Sequence, residues 1–463
     1  MSSRRNSSKR YLSRAVNQPE TASRSRAVRK HLNADSFLAM VRKDFQKIAD
    51  PRAANSKISI DDALMSALAM FQYKDQSLLA FDKRRRKEPE NLYTMYGITN
   101  IPCDSQMRTI LDQLTLSSIR ASFRTVFRQL QRGKDFKKMA YYDGHYLLSG
   151  DGTGYYASTK VGSPTCLSYT LKNGETLHQQ KMYAASFVHP DSNIVIPVCP
   201  EPNTKQDGST KDDCEQNASL RFFEHFRREH PHLKVIVVED GLSSKGPHIL
   251  ELKRLNLRYI LGAKPDDHVY LFQQLRQAVE EGRATNIQFL DREDRQKAHF
   301  FRFANQIPLN KANPDLLVNV LEYWQIEKGE KITKFSWVTD IPITEKNVYK
   351  LMRAGRARWK VENETFNTLK NQGYNLGHNY GLGKKNLSAV FAILMMLSFL
   401  IDQAQQMSCW LFQKALQKAE SRLHLWERIR ALVFNFRVDS METILRAIVY
   451  GHVRRELKEE NRT

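Results

Sequence analysis

Apolar residues recur at helical spacing from about residue 36 to residue 133, and short polar turns interrupt them. Spacing of this kind gives each helix one apolar stripe, as in a module of packed amphipathic helices. The pattern predicts five short helices in this region, at residues 35–48, 60–71, 76–85, 105–114 and 116–131.

The pattern changes after about residue 139, where short apolar runs alternate with one longer helical stretch. Such alternation of strands and helices predicts a mixed α/β domain. Between residues 265 and 340 strand-like segments dominate, and from residue 344 the spacing is again helical. Strands are predicted at 145–150, 154–158, 182–188, 194–198, 234–238 and 258–262, and the longer helix at 214–230.

The longest apolar run, Ala389 to Ile401, covers 13 residues and contains Ser398. A membrane-spanning helix needs about 20 apolar residues, so this run predicts a buried core helix and no membrane contact. The basic N-terminus has no apolar segment behind it and does not resemble a secretory signal. The five cysteines are scattered and include no C-x-x-C pair, which argues against a zinc site and against a disulfide framework. The absence of a disulfide framework is typical of a protein in a reducing cytoplasm.

The net charge indicates what kind of partner the protein binds. Lysine and arginine exceed aspartate and glutamate by 72 − 50 = 22 residues, and the basic residues form several clusters. An excess of this size favours a polyanion, above all nucleic acid, over the alternative of a basic surface on a ribosome-associated or membrane-surface protein. The run Lys83-Arg-Arg-Arg-Lys87 at a helix end favours DNA contact by the first helical region, although a module that only packs on its neighbour has a similar pattern.

Two aspartates follow predicted strands and precede glycines. Asp151 comes after an apolar run and opens Asp151-Gly-Thr-Gly, whereas Asp240 follows Val235-Ile-Val-Val-Glu239. Glycine allows a sharp turn, so we expect both aspartates at strand ends, where α/β sheets hold ligands. Glu239 is predicted to point to the opposite side of the sheet from Asp240.

A third acid lies on a predicted helix from Thr344 to about Gln372. At 3.6 residues per turn, Glu362 is the one charged residue on an inward stripe, while Glu364 faces solvent. The other members of the stripe are Val348, Met352, Gly355, Trp359, Phe366 and Leu369. A buried carboxylate needs a cation, which can be a metal or Arg358 in a purely structural pair. Two aspartates and a glutamate in one place would bind two divalent metals and promote in-line displacement at phosphorus.

The segment Arg358-Trp-Lys-Val-Glu362, together with Asp151-Gly-Thr and Asp240-Gly, resembles the DDE transposases of bacterial insertion sequences. The branch is insertion-sequence family four, marked by a Tyr-x2-Arg-x3-Glu-x6-Lys motif. Arg358 and Glu362 occupy their motif positions. The motif tyrosine falls at Gly355, and the motif lysine falls at Leu369, one residue before Lys370. The resemblance covers residues 140 to 400 and includes the order of the acids and the insertion between the second and third acid.

The resemblance implies an RNase H-like core and cut-and-paste DNA transposition. The expected regions are a disordered basic arm (1–35), a helical DNA-end-binding region (36–138), the catalytic core (139–264 and 341–405), a β-rich insertion (265–340) and a helical C-terminal region (406–463). A decayed or domesticated copy that only binds DNA, and an RNase H-like nuclease, remain as alternatives.

The expected site follows from this interpretation. Asp151, Asp240 and Glu362 are the expected catalytic ligands of two Mg²⁺ ions, or of Mn²⁺ in their place. The expected DNA contacts are Arg358, Lys370, Trp337, Lys384 and Lys385. In the family a tryptophan at the place of Trp337 stacks on a flipped base, with a core position as the alternative. Lys384 and Lys385 are equally compatible with phosphate contact and with ordinary surface charge.

The expected partners are the terminal inverted repeats of the element and target DNA. Because two element ends must be brought together, we expect a homodimer in the synaptic complex. The expected location is the bacterial cytoplasm, in association with the nucleoid.

Overall fold

The computed structural model describes residues 29–451, except for residues 54, 204–214, 292–293, 295 and 328–329. Residues 1–28, most of the predicted disordered arm, lie outside the described residues. The end of that arm is ordered: Arg29 donates to the carbonyl of Gly133 at 2.8 Å, and Asn33 caps the first helix. The chain forms two compact units, one comprising Phe136–Asn367 and the other joining the chain up to Asp135 with the chain from Thr368 onward.

The helices follow the predicted pattern in most places. Each of the five helices predicted before residue 133 is present within a few residues of its expected bounds, and one further helix was not predicted. In chain order the helices are α1 (Ala34–Phe45), α2 (Ile60–Gln72), α3 (Leu78–Lys87), α4 (Pro89–Tyr96), α5 (Asp104–Leu111), α6 (Arg120–Arg132), α7 (Glu215–Glu229), α8 (Gly246–Arg254), α9 (Val269–Glu280), α10 (Val348–Arg356), α11 (Asn367–Asn371), α12 (Leu387–Ser408), α13 (Trp410–Ala419), α14 (Arg422–Asn435) and α15 (Met441–Tyr450).

The strands of the second unit form one mixed sheet. Within the described residues it has twelve strands. They are β1 (Ala140–Tyr142), β2 (His145–Ser158), β3 (Leu167–Thr170), β4 (Thr176–His189), β5 (Ser192–Pro197), β6 (Glu201–Pro202), β7 (Val235–Glu239), β8 (Arg258–Gly262), β9 (Thr285–Leu290), β10 (Lys297–Asn310), β11 (Asn313–Glu327) and β12 (Glu330–Thr339). The fold is therefore mixed α/β, with helices toward both ends of the chain.

The strand order is β3-β4-β2-β7-β8-β12-β11-β10-β9, and β1, β5 and β6 pair at the sides of this path. β2 is antiparallel to β4 but parallel to β7, and β7 is parallel to β8. The predicted β-rich segment supplies β9 to β12, and β12 adds antiparallel to β8. This segment also contains α9, which was not predicted there.

The first unit is helical, and α12 lies in its interior. Gln72 Nε2 donates to both the carbonyl and the hydroxyl of Ser398 at 3.0 Å, which ties α2 to α12. Among the described residues, α12 is the one helix long and apolar enough to cross a membrane, but that window is 100% buried within the protein. Its burial confirms the predicted core helix. The helical stretch up to residue 405 thus packs with the N-terminal helices, whereas the sequence-based division assigned it to the catalytic core.

The helix predicted from Thr344 to Gln372 is not continuous. It consists of α10, a turn, a π-helical segment at Val361–Phe366 and α11. The Arg358 carbonyl accepts from the amide of Val361, three residues on, and from Ser149 Oγ at 2.9 Å, which interrupts the regular α-helical bonding. Gly373 follows the last turn with a φ of +98°, as expected for a helix end at glycine.

Candidate active site

Asp151 and Asp240 lie at equivalent positions on neighbouring parallel strands. Ser149 of β2 pairs with Val238 of β7, so two residues further along each strand bring Asp151 opposite Asp240. Neighbouring strands are about 4.8 Å apart, and residues two apart on a strand share a face. The parallel register thus brings together the two aspartates that the sequence analysis selected.

The two aspartates differ in their local structure. Asp240 ends β7 as predicted, and its carboxylate accepts from the amide of Leu242 at 3.0 Å, which caps the following turn. Asp151 does not end its strand: β2 continues through Asp151-Gly-Thr-Gly to Ser158, paired with β4. The prediction of a turn at Gly152 is wrong because this glycine lies within a continuous strand, where it allows the close approach of the Glu215 side chain.

Arg358 joins Glu362 to Asp151. Its Nη1 lies 2.5 Å from Glu362 Oε1 and 3.4 Å from Asp151 Oδ2. Ser149, two residues before Asp151 on the same face of β2, holds the Arg358 backbone carbonyl. The third predicted acid is therefore brought to the first, with one arginine between them.

The inward stripe predicted for the Glu362 helix is only partly correct. Phe366 is buried, but Trp359 is 52% exposed and the Glu362 side chain is 41% exposed. Glu364, expected in solvent, is partly buried. The break at Arg358 and the wider π-helical turn change the angle between successive side chains, so a spacing of 3.6 residues misplaces them. Single π-helical turns occur frequently at functional sites.

Burial and nearby negative charge both perturb the carboxyl group of Asp151. Burial, the nearby charges of Glu215 and Asp240 and a hydrogen bond with Glu362 raise the pKa of the Asp151 carboxyl to about 7, although Arg358 opposes the shift. A carboxyl with such a pKa holds its proton more tightly because ionising it adds a negative charge to a place that already has several. Asp151 therefore interacts with three other carboxylates, those of Glu215, Glu362 and Asp240.

Glu215 is the acid that the sequence analysis missed. Its Oε1 accepts from the backbone amide of Gly152 at 3.1 Å, and a Cβ on Gly152 would lie only 2.1 Å from its other carboxylate oxygen. Desolvation of the carboxylate, followed by the charges of Asp240 and Glu239, raises the pKa of Glu215. Glu215 begins α7 without any motif around it, so the sequence carried no signal for this contact. Gly152 is therefore needed for the approach of a fourth carboxylate.

A buried network lies behind Asp240. Tyr183 Oη donates to Glu239 Oε1 at 2.6 Å, and His248 Nε2 lies 2.6 Å from Glu239 Oε2. Glu239 is 2% exposed, and its charge raises the pKa of His248 against the effect of burial. The tyrosine reaches this position across Gly150, where a Cβ would lie 1.8 Å from Tyr183 Oη. Glu239 thus supports the strand end from the sheet face opposite to Asp151, and it is already engaged by two partners.

The oxygen donors suit a hard divalent cation in kind and in charge. Asp151 and Glu362 share the Arg358 guanidinium, and burial together with the neighbouring carboxylates raises the pKa of Asp151 against the effect of this arginine. Carboxylate oxygens are ligands that such a cation prefers. As the side chains stand, no three histidine, cysteine or acidic side chains in the described parts of the chain are grouped closely enough to share an ion. The ion pairs of Arg358 accordingly supply countercharge to Asp151 and Glu362.

Trp337 is buried in the second unit. It is 5% exposed, its ring stacks on Phe335 with centroids 5.7 Å apart, and it packs on Gly355. A Cβ on Gly355 would lie 2.5 Å from the indole. The indole thus occupies the space into which a side chain at position 355 would project. This packing matches the core alternative for Trp337, and base stacking would require the ring to leave it.

The three lysines predicted to contact DNA belong to the other unit and are exposed. Lys370 lies on α11. Lys384 and Lys385 precede α12, and their backbone amides donate to the Asp112 carboxylate at 2.9 and 3.0 Å. Their side chains remain on the surface, where both phosphate contact and simple surface charge are compatible with the structure.

The basic run at the end of α3 is partly neutralised within its own unit. Arg84 makes a double hydrogen bond to Asp75, with both distances 2.8 Å, and Arg85 and Arg86 pair with Asp82. The side chain of Arg84 is only 9% exposed. Much of this run thus stabilises the helical unit rather than presenting free charge.

The chain matches no protein-family model, and no curated protein matches it significantly.

Proposed function

We propose that this protein is a DDE transposase that cuts and joins the DNA of an insertion sequence. The observation that carries the proposal is the proximity of Asp151 to both other acids: the register of β2 and β7 brings Asp151 opposite Asp240, and Arg358 pairs with both Asp151 and Glu362. The three acids lie 89 and 122 residues apart in sequence, since 240 − 151 = 89 and 362 − 240 = 122. Two aspartates and a glutamate are the residue types that this class of enzyme uses to hold metal ions for phosphoryl transfer.

The fold supports an RNase H-like core for the second unit. Three antiparallel strands, β5, β4 and β2, continue into the parallel strands β7 and β8. The helices α7 and α8 follow in the connections to β7 and β8. The β-rich segment follows β8 in the chain and extends the same sheet by four strands, with β12 paired to β8. It precedes the helix that carries Glu362, as expected for an insertion between the second and third acid.

The roles of the chain's own residues follow from their positions. Asp151, Asp240 and Glu362 would hold two Mg²⁺ ions, or Mn²⁺, which supply activation of the attacking oxygen and stabilisation of the leaving oxygen. Glu215 adds negative charge to the same neighbourhood. Ser149 holds the backbone carbonyl of Arg358, which keeps the Arg358 guanidinium beside two acids. When bound cations neutralise these acids, the guanidinium can bind a phosphate oxygen instead. In this proposal water attacks first, and the freed 3′-OH then attacks target DNA.

The helical unit and the net charge of +22 support DNA as the partner. We infer that recognition of the terminal inverted repeats belongs to this unit, that two copies meet when two ends are paired, and that the protein acts at the nucleoid in the bacterial cytoplasm.

A strand-transfer assay tests the proposal. The protein is incubated with end-labelled DNA from the borders of its own gene and with a plasmid target, with Mg²⁺ and with EDTA. We expect nicking at the border and joined products with Mg²⁺ only. Cutting without joining would support an RNase H-like nuclease, and binding without cutting would support a decayed or domesticated copy.

A further inference from the structure

A basic cleft lies beside α10 in the second unit, apart from the carboxylates. It has a volume of about 520 Å³ and is open to solvent. Four of its lining residues are cationic, namely Lys297, Arg353, Arg356 and Lys360, whereas Asp291 is the one acid among them. Such an excess of positive charge in a concave surface attracts a polyanion.

Two of these cations have no acidic partner among the described residues, although neutral groups contact both. Arg353 pairs with Asp191, and Lys297 lies 3.4 Å from Asp294. In the described part of the chain, Arg356 and Lys360 form no ion pair. The Arg356 guanidinium lies over the ring of Phe335, 5.6 Å from its centroid, and Lys360 Nζ donates to the Asn193 side chain at 3.2 Å.

The wall of the cleft is rigid and partly aromatic. His299 is 5% exposed and is held between Asp291 and the hydroxyl of Tyr323, both at 2.9 Å. Because Asp291 is bonded to His299, its carboxylate is less able to neutralise the positive charge of the cleft. Tyr349 packs edge-on against His299 and remains 36% exposed. A basic groove with an exposed aromatic ring is suited to a nucleic-acid backbone.

The cations of the cleft lie close to Glu362 in the chain. Lys360 and Arg356 precede Glu362 by two and six residues. With a rise of about 1.5 Å per residue, they lie about 3 and 9 Å from it along this segment. One DNA strand carries a phosphate about every 3.4 Å of axis, so this span corresponds to about one to three nucleotides.

We propose that this cleft binds the phosphates of DNA about one to three nucleotides from the scissile phosphate, with Arg356 and Lys360 as the main contacts. The proposal rests on the proposed function, because it takes DNA as the substrate at the carboxylates. The cleft steers the DNA strand without taking part in the chemistry, and Arg353, Lys297 and Tyr349 form its walls.

The test measures binding of the full-length protein to a fluorescein-labelled duplex of about 30 base pairs, in EDTA and over a range of salt concentrations. The variant is Arg356→Gln with Lys360→Gln, and the matched control is Lys346→Gln with Lys350→Gln. Both control lysines are exposed and lie on or just before α10, but outside the cleft. Circular dichroism checks the fold of each protein.

Loss of two phosphate contacts should reduce the slope of log K against log salt by about 1.8 and weaken binding roughly 30-fold at about 0.15 M salt. The control should bind like wild type. A photo-reactive p-azidophenylalanine at Tyr349 should crosslink to the duplex, and the crosslink should disappear in the Arg356→Gln/Lys360→Gln background.

The cleft variant retaining the wild-type slope and crosslink would overturn the cleft proposal alone. The same would follow if the control lost as much affinity as the cleft variant. A wild-type protein that binds no DNA would overturn the proposed function, and the cleft proposal with it.

Discussion

Replacing Asp151 by asparagine should make the protein more stable while abolishing its activity. The Asp151 side chain is only 22% exposed and has the charges of Glu215 and Asp240 and the carboxylate of Glu362 around it. Asparagine has nearly the same shape but no charge. The substitution therefore removes from the folded state both the cost of burying a charge and the repulsion by its neighbours, without creating a cavity.

The magnitude follows from the pKa of Asp151, which is about 7 in the folded protein and 3.8 as the ordinary value. Because the folded state holds the proton more tightly than the unfolded state, the fold loses stability as the pH rises from about 4 to 7. Each pKa unit corresponds to about 1.36 kcal/mol, so the loss above pH 7 is about 4 kcal/mol. Asparagine gives up the hydrogen bond with Glu362, and we expect a net gain of about 2–3 kcal/mol at about pH 8.

Thermal unfolding at several pH values measures this effect. A gain of this size should raise the melting temperature of the second unit by about 4–12 °C at about pH 8, and the difference should nearly vanish at about pH 5. Asp266→Asn, at an exposed loop position, is the control and should change little. A variant that is no more stable than wild type at the higher pH, or whose gain does not depend on pH, would refute the reasoning.

Three further predictions concern packing. Trp337→Ala should destabilise the protein by about 3–5 kcal/mol, and Gly355→Ala by about 1–3 kcal/mol through its clash with the indole, as measured by urea unfolding. Lys74→Met should cost about 3–5 kcal/mol because it leaves Asp402, 2.8 Å away in a buried pair, without a countercharge, whereas adding Asp402→Leu should recover most of the loss. Residues 29–135 expressed alone should show no cooperative melting by circular dichroism, since their helices would lack α12.

Most helices and strands could be predicted from the sequence, and so could the three principal acids of the candidate site. Apolar periodicity identified five of the first six helices, all but α4, and the strands β7 and β8 because each buries a single stripe or run against a core. It also identified Asp240, since a strand followed by Asp-Gly has a local signature. Apolar periodicity and an Asp-Gly after a strand are both local patterns, so they can be recognised from residues adjacent in sequence.

Features that depend on tertiary contact were missed or misjudged. The glycines around Asp151 resembled turn residues, but they admit Tyr183 and Glu215 to the strand from elsewhere in the chain. The break at Arg358 depends on a hydrogen bond from Ser149, 209 residues away. No local pattern predicts a partner at that separation, which is why Trp359 and Glu364 were assigned to the wrong environments.

The partition of the helices is a second case of this kind. Apolar spacing identified α12 as a core helix but not which core it enters. Its polar contacts decide this: Ser398 bonds Gln72, and Asp402 pairs with Lys74. Each is an ordinary polar residue in sequence, so the grouping of the chain ends into one helical unit had no sequence signal.

The measurement that tests the central claim most directly compares Glu362→Gln with Glu364→Gln in DNA cleavage and strand transfer. Glutamine keeps the size of the side chain but lacks the charge that a hard cation requires. Both variants should fold and bind border DNA close to normally. We predict that Glu362→Gln loses both cleavage and joining, whereas Glu364→Gln retains substantial activity. Full activity of both variants would contradict the transposase proposal, because phosphoryl transfer would then proceed without the third carboxylate.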